Sequence, residues 1–465
     1  MTRDRFTGQT LSPPSDSAPH AAGRGLVLPE EPVDHQHAVG RAYLRYLAGC
    51  CQRYAALAAE LPPELRAAHG GIVALVRRAL QRAQRPTLNC FASPMVGTPL
   101  QCVALHGELE AFRARIDRAA AEIGPHLLLE MALRGLIPEG ESILWEHGAP
   151  RLASLAIGGE LIPPDGATGL RFAASHLAAV RGGGELARVP LGGAAMSDVL
   201  GEDGRGFRFA RRFRRVGKVA HLATIDHNPI AAFEAHPDKA GNHVDLGGRS
   251  EDEWIGILDE SFALVERFLP GAFAEMGGML HEVVPVGFDA ERHLSASYRE
   301  AVGTIYLTLH PSVMIMTEAV VHEFQHNKCN VAAYDLDFLT NAFHPLYKSP
   351  IRPDPRPLWG ILLAVHAFLP VAELYRRMRA GTHPYAAHPD FERRLSELDL
   401  KNHEGMEMLR AHAQFTPAGR ALFTELTDLE QRHLADRTAR GLDNTPTEIH
   451  LARRGGNSAP PARAR

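Results

Sequence analysis

The sequence predicts an α+β fold, predominantly helical, with a small central β-sheet. Three patterns carry that prediction. From His35 to Ile137, apolar residues recur at i, i+3 and i+4 in "AYLRYLAGCCQRYAALAAEL", "IVALVRRALQRAQ" and "LHGELEAFRARIDRAAAEI", the period of helices that each bury one face. Over 138–220 the pattern changes to short apolar runs, "SILWEH", "LASLAI" and "LARVPL", cut by Gly and Pro, as in strands joined by turns. In the second half an alternating β-rich run, "GTIYLTLHP" at 303–311, leads straight into the apolar helix "SVMIMTEAVVHEFQHNKCNVAAY".

Taken in order, residues 1–34 are rich in Pro, Ser, Gly and Ala and are expected to lack fixed structure. They contain no apolar stretch of the kind that makes a secretory signal. A helical lobe over 35–137 and a β-rich region over 138–220 follow. The second of these ends on a basic run, "GRGFRFARRFRRVGK", in which Arg208, Arg211, Arg212, Arg214 and Arg215 alternate with Phe207, Phe209 and Phe213. A solvated charged face over buried phenylalanines is the plain reading; a docking surface for an acidic peptide is the functional one. Residues 221–450 are expected to form the catalytic domain, and 451–465 a disordered tail. Within that domain Ser250 and Glu253 form a capping box that opens a long amphipathic helix. Residues 357–381 read as a strongly apolar helix interrupted by Pro370, and "HPDFERRLSELDLKNHEGMEMLRAHAQFTPAGRALFTELTDLEQRHLADR" as further helix.

Composition narrows the function classes. Of the 465 residues 45% are hydrophobic and 22% charged, with a net charge of −4, as in an ordinary soluble globular protein. That balance gives no reason to expect nucleic acid or an anionic membrane as partner. The five cysteines, Cys50, Cys51, Cys90, Cys102 and Cys329, are scattered without metal-knuckle spacing. They predict no disulfide framework and a reducing cytoplasm. No run of 18 apolar residues predicts a membrane span.

The chemistry concentrates in "VVHEFQHNKCN". On a helix, His322 and His326 lie one turn apart on one face and can offer two imidazoles to a single ion. Glu323 lies close enough to hydrogen-bond a metal-bound water. Glu318, Gln325 and Asn327 are candidates for orienting groups around such an ion, or plain helix-surface residues. A third ligand must come from elsewhere. The Gly and His that a metzincin needs after the motif are missing. Glu373 in "VAELYRRM" keeps the gluzincin pattern open. His366 is a lone histidine in a continuous apolar helix, which needs either a polar partner or a metal. His344 and His310 are weaker alternatives. In "HPLYKSPIRPDPRPLWG", prolines stiffen the chain around Arg352 and Arg356. A guanidinium fork so held suits a carboxylate ligand, although Asp354 could also take it up. Two histidines, a further ligand and a fixed arginine suggest iron with a 2-oxo acid, whereas a zinc hydrolase has no evident need for the arginine.

The run "VVHEFQHNKCN…HPLYKSPIRPDPRPLWGILLAVHAFLPVAELYRRM" resembles the HExxH-motif proteins associated with ribosomally synthesised peptide natural products. The resemblance covers roughly 225–380 and, more loosely, the C-terminal helices. It implies a non-haem iron(II), 2-oxoglutarate-dependent oxygenase that hydroxylates the β-carbon of a side chain in a precursor peptide. Residue by residue, it carries over His322 and His326 as motif histidines and Arg352 and Arg356 as loop arginines. His366 is matched less securely, because related chains place a histidine in this helix at slightly different positions. In that chemistry Glu323 is not required as a general base. The alternatives are a zinc metallopeptidase in which Glu323 activates water, and a non-catalytic peptide-binding protein with a structural metal. The expected partner is the precursor peptide, in the cytoplasm, with the motif helix set against the 303–310 strand and the apolar C-terminal helix.

Overall fold

The computed structural model describes residues 25–29, 36–191, 206–233, 235–236, 239–350 and 354–444. Over these the chain is a mixed α/β protein, mostly helical, with several small sheets in place of the single one expected. It divides into two compact units, one from Gly25 to Leu336 and one from Asp337 onward. That division falls inside the 221–450 region read as a single domain from the sequence. His322 and His326 belong to the first unit, and Arg356 and His366 to the second.

In the first unit the helical periodicity becomes the helices Gln36–Glu60, Pro63–Arg82, Pro94–His106 and Arg113–Leu133. Their apolar stripes, among them Leu47, Ile72, Leu75 and Leu128, are buried. The β-rich stretch folds into local hairpins, because strands this short, cut by turns, pair with their nearest neighbours. Ser142–Trp145, Gly169–Ala173, His176–Arg181 and Gly184–Pro190 form an antiparallel four-stranded sheet in that order. Leu152–Ser154, Gly159–Ile162 and Arg208–Arg211 form a three-stranded one.

The basic run is split between two sheets. Arg208–Arg211 ends the three-stranded sheet, and Phe213–Val216 begins an edge of the next. Phe207 and Phe213 are buried. Arg212 reaches Glu160 at 3.4 Å and Arg214 reaches Asp252 at 2.7 Å. These two arginines are therefore taken up by neighbouring carboxylates, as in the plain reading of the run.

A five-stranded sheet positions the motif. Its order is Ser295–Ala296, Thr304–Leu309, Glu282–Phe288, Ala220–Ala223 and Phe213–Val216. The second and third strands run parallel, with Val284 opposite Tyr306. One face packs into an apolar cluster with Met95, Ala153, Phe213, Ala223, Val284 and Tyr306. The helix Glu251–Phe268 opens with the expected capping box: Ser250 Oγ accepts from Glu253 N at 3.2 Å, and Glu253 Oε2 accepts from Ser250 N at 2.8 Å. The motif helix, Val313–Ala332, follows the strand Thr304–Leu309 almost directly. The five cysteines are free thiols.

The second unit is built on the helices Leu358–Ala380, Pro389–His412 and Pro417–Ala439. The first runs through Pro370 without a break, where an interruption was expected. Proline removes one backbone donor, but the flanking apolar residues Leu369, Val371, Ala372 and Leu374 are fully buried and hold the helix in register. By length and composition this helix is long and apolar enough to cross a membrane, and 67% of its most apolar window is buried within the protein. Its polar side chains join a charge network. Arg376 pairs with Asp399 at 2.7 Å, while Glu373 receives Arg377 at 2.7 Å and His433 at 3.1 Å.

Burial alone would raise the Glu373 carboxyl, but hydrogen bonds from His433 and Arg377 outweigh it and bring the group down to about 2. A folded value below the unfolded one means stability that is fully present above about pH 4.5 and is lost as the pH falls toward 2. Glu373→Gln should therefore cost about 2–3 kcal/mol at pH 7, and the difference from the parent should shrink steadily below pH 4.5. Urea unfolding of both proteins at a series of pH values measures this; a gap independent of pH would refute the linkage.

Candidate metal centre

The motif helix is fixed in rotation by three buried polar side chains on its own sequence. Asn327 Oδ1 accepts from Gly303 N at 2.7 Å, and its Nδ2 donates to Thr304 O at 3.3 Å and Glu323 O at 3.1 Å. Gly303 sits at φ +87°, and a Cβ there would collide with the His281 ring and lie 2.7 Å from Met279 O. Only glycine allows the sheet to come this close. Gln325 Nε2 donates to Val27 O at 3.0 Å. Lys328 Nζ donates to the same oxygen at 3.2 Å and pairs with Glu275 Oε2 at 2.7 Å. Both side chains of that ion pair are buried, 0% and 1% exposed. Gly25–Pro29 is therefore held under the helix, with Leu26 and Val27 buried. It belongs to the segment expected to lack structure, whose other residues, 1–24 and 30–34, lie outside the described residues.

These anchors turn one face of the helix inward. The Nε2 atoms of His322 and His326 face each other at 2.9 Å, with the rings 4.4 Å apart and nearly perpendicular at 84°. Two ligands of one ion at bond lengths of ~2.1 Å stand at this separation when they are adjacent in its coordination sphere. Burial pushes His326 down to about 4, so the ring is neutral and its nitrogen lone pair is available for an ion. The Nδ1 of His326 is buried without a hydrogen-bond partner among the described residues. A metal-bound histidine usually donates that second proton to an acceptor, so this feature falls short of a complete metal site. Glu323 is 2% exposed. Its Oε1 accepts from Ser295 Oγ at 2.6 Å and lies 3.9 Å from His322 Nε2.

The structure thus brings His322, Glu323 and His326 together with Ser295. Among the described residues, no group of three His, Cys, Asp or Glu suited to holding a metal ion forms. The chain's own pair fits two adjacent ligands. The third predicted ligand, His366, is fully buried in the helix Leu358–Ala380 of the second unit. The alternative, Glu373, is committed to Arg377 and His433. His344 is exposed. His310 accepts from Ser312 N at 2.9 Å and so shapes the turn that enters the motif helix. Gln325 and Asn327 serve as anchors of the helix, and Glu318 is buried on it. Arg356 Nε lies 2.8 Å from Asp354 Oδ2, and both side chains are more than one-third exposed. Arg352 lies outside the described residues.

Sequence reasoning missed Ser295, Lys328 and Val27. Ser295 sits on a two-residue strand, too short to carry a periodicity. The role of Val27 is a backbone carbonyl, which leaves no trace in side-chain pattern. Lys328 could have been found, since a lysine within a buried helical face needs a counter-charge. No protein-family model and no curated protein matches the chain, so the resemblance read from the motif and the proline-rich loop rests on those residues alone.

Two outcomes follow from this geometry. His322→Ala or His326→Ala should lower bound metal, measured by elemental analysis of purified protein, well below one ion per chain while circular dichroism stays unchanged. Full occupancy in both variants would remove the site. Separately, Lys328→Ala strips the cation from a buried carboxylate and should cost about 3–5 kcal/mol in denaturant unfolding, much of it recovered when Glu275 is also made apolar. A loss under 1 kcal/mol would show that the pair does not hold the helix.

Proposed function

We propose that the protein is a non-haem iron(II), 2-oxoglutarate-dependent oxygenase that hydroxylates the β-carbon of a side chain in a ribosomally made precursor peptide. The observation that carries the metal is the pair of imidazole Nε2 atoms 2.9 Å apart on an anchored helix. The reaction class rests on the resemblance of the motif and the proline-rich loop. Iron with 2-oxoglutarate and O₂ would supply the oxidising power to place an oxygen atom on an unactivated carbon.

The chain's own residues then have distinct tasks. His322 and His326 would hold the ion through Nε2. His366 is taken from the sequence as the third ligand, and Arg352 and Arg356 as forks for the distal carboxylate of the 2-oxo acid. The ion pair of Arg356 with Asp354 is exposed and so is weak enough to exchange for a ligand carboxylate. Glu323 has one oxygen engaged by the Ser295 hydroxyl, which suits a group that holds the site's shape rather than one that shuttles protons.

The test is incubation of purified protein with iron(II), 2-oxoglutarate, air and the short peptide encoded beside its gene. The expected product is the uncleaved peptide with one added oxygen atom, and succinate in equal amount. Arg356→Ala should raise the 2-oxoglutarate requirement about tenfold, the effect expected of a half-exposed charge-assisted contact, with iron still bound. Glu323→Gln should keep its iron and measurable turnover, whereas a peptidase losing its general base would drop ~10²–10⁴-fold. Peptide cleaved without 2-oxoglutarate or oxygen would establish the zinc-peptidase reading instead.

A further inference from the structure

The five-stranded sheet has a second face with its own polar chemistry. Cross-strand partners share a face. Ser295 pairs with Leu307 and Ala296 with Tyr306. Ser295 Oγ reaches Glu323 on the motif helix, so Tyr306 and Ala296 point the opposite way, into the apolar cluster with Met95. On that side Tyr306 Oη donates to Asp226 Oδ1 at 2.8 Å, and Asn228 N donates to the same oxygen at 3.0 Å.

Asp226 and His227 line a cavity of about 220 Å³. Its size is below the ~300–1,000 Å³ of pockets for larger ligands and suits a molecule as small as a single amino acid. Three features specify the chemistry. First, Arg115 and Arg118 line it from the helix Arg113–Leu133 and are exposed at its mouth. The Arg115 guanidinium lies over the Phe233 ring at 4.0 Å, and Arg118 has no hydrogen-bond or ion-pair partner among the described residues. Second, two carboxylates line it, Asp226, which receives hydrogen bonds but has no cation beside it, and Glu122 at the exposed rim, while His227 Nδ1 is buried without a partner. Third, Met95, Pro99 and Pro229 supply apolar wall. Burial agrees with this arrangement: it raises Asp226 to about 6, the mark of a carboxylate without a counter-charge, and lowers His227 to about 3, so the imidazole adds no positive charge.

We propose that this cavity binds a small zwitterion of the α-amino-acid class, with its carboxylate on Arg118 and Arg115, its ammonium on Asp226 and an apolar side chain against Met95, Pro99 and Pro229. A plain anion would meet Asp226, and a plain amine would meet the two arginines, so the pocket favours a ligand that carries both charges. The cavity lies across the sheet from the histidine pair and does not depend on the reaction proposed there.

Calorimetric titration of the full-length protein with L-leucine tests this, alongside 4-methylpentanoate, which lacks the ammonium, and 3-methylbutan-1-amine, which lacks the carboxylate. Saturable binding of L-leucine is expected, with each one-charge analogue weaker by about tenfold or more. Arg118→Ala, on the exposed rim and harmless to folding, should weaken leucine about tenfold. Asp226→Asn should weaken leucine and tighten the carboxylate analogue, which no longer meets a like charge. His322→Ala should bind leucine as the parent does. Absence of leucine binding, equal binding of 4-methylpentanoate, or an Arg118→Ala variant with parental affinity would each overturn the proposal.

Discussion

The carboxamide of Asn327 sets the geometry of everything built on the motif helix. It takes the N–H of Gly303, gives to the carbonyl of Thr304 and closes on the Glu323 carbonyl one turn back. All three groups are buried or belong to the helix itself, and a buried amide left half-satisfied costs more than the bonds return. The helix therefore has one rotation at which this residue is satisfied. Asn327 follows His326 directly, so that rotation also decides where the two imidazoles point. Gly303 makes the contact possible because any side chain there would strike His281.

Much of this was legible in the sequence, and the reasons differ by element. The strand ending at Leu309, the motif helix and the helix opening at Ser250 were readable because each rests on a local rule: alternation, helical period, a capping box. The His322–His326 pair was readable for the same reason, since helical spacing alone puts them on one face. The sheets were not. Short strands separated by Gly and Pro reveal that hairpins form but not which edges join, and the basic run turned out to bridge two sheets. Pro370 misled because propensity was set against burial, and the buried apolar flanks won. The boundary after Leu336 also escaped notice, because it depends on which helices pack together rather than on any break in composition.

The five-stranded sheet separates two chemistries by the alternation of a single strand. Leu307 shares a face with the serine that steadies Glu323, and Tyr306, one residue earlier, holds Asp226 on the other. A strand has no other way to address two compartments than by parity. A one-residue slip in the pairing of Thr304–Leu309 would turn the Tyr306 phenol toward the motif helix and leave Asp226 without its hydroxyl partner. Parallel pairing to Glu282–Phe288 on one side and antiparallel pairing to Ser295–Ala296 on the other guard that register.

The carbonyl of Val27 receives both Gln325 and Lys328. Because it is a backbone atom, no substitution at position 27 short of a change in chain path abolishes it, and mutational scanning would pass over it. Shortening the protein to begin at the first helix, Gln36, would behave differently. It would withdraw the acceptor from a fully desolvated ammonium and open the underside of the motif helix to water. A truncated form chosen for its apparent neatness would thus loosen the motif helix for a reason lying far from His322 and His326, and the damage could easily be misread as a property of the histidines themselves.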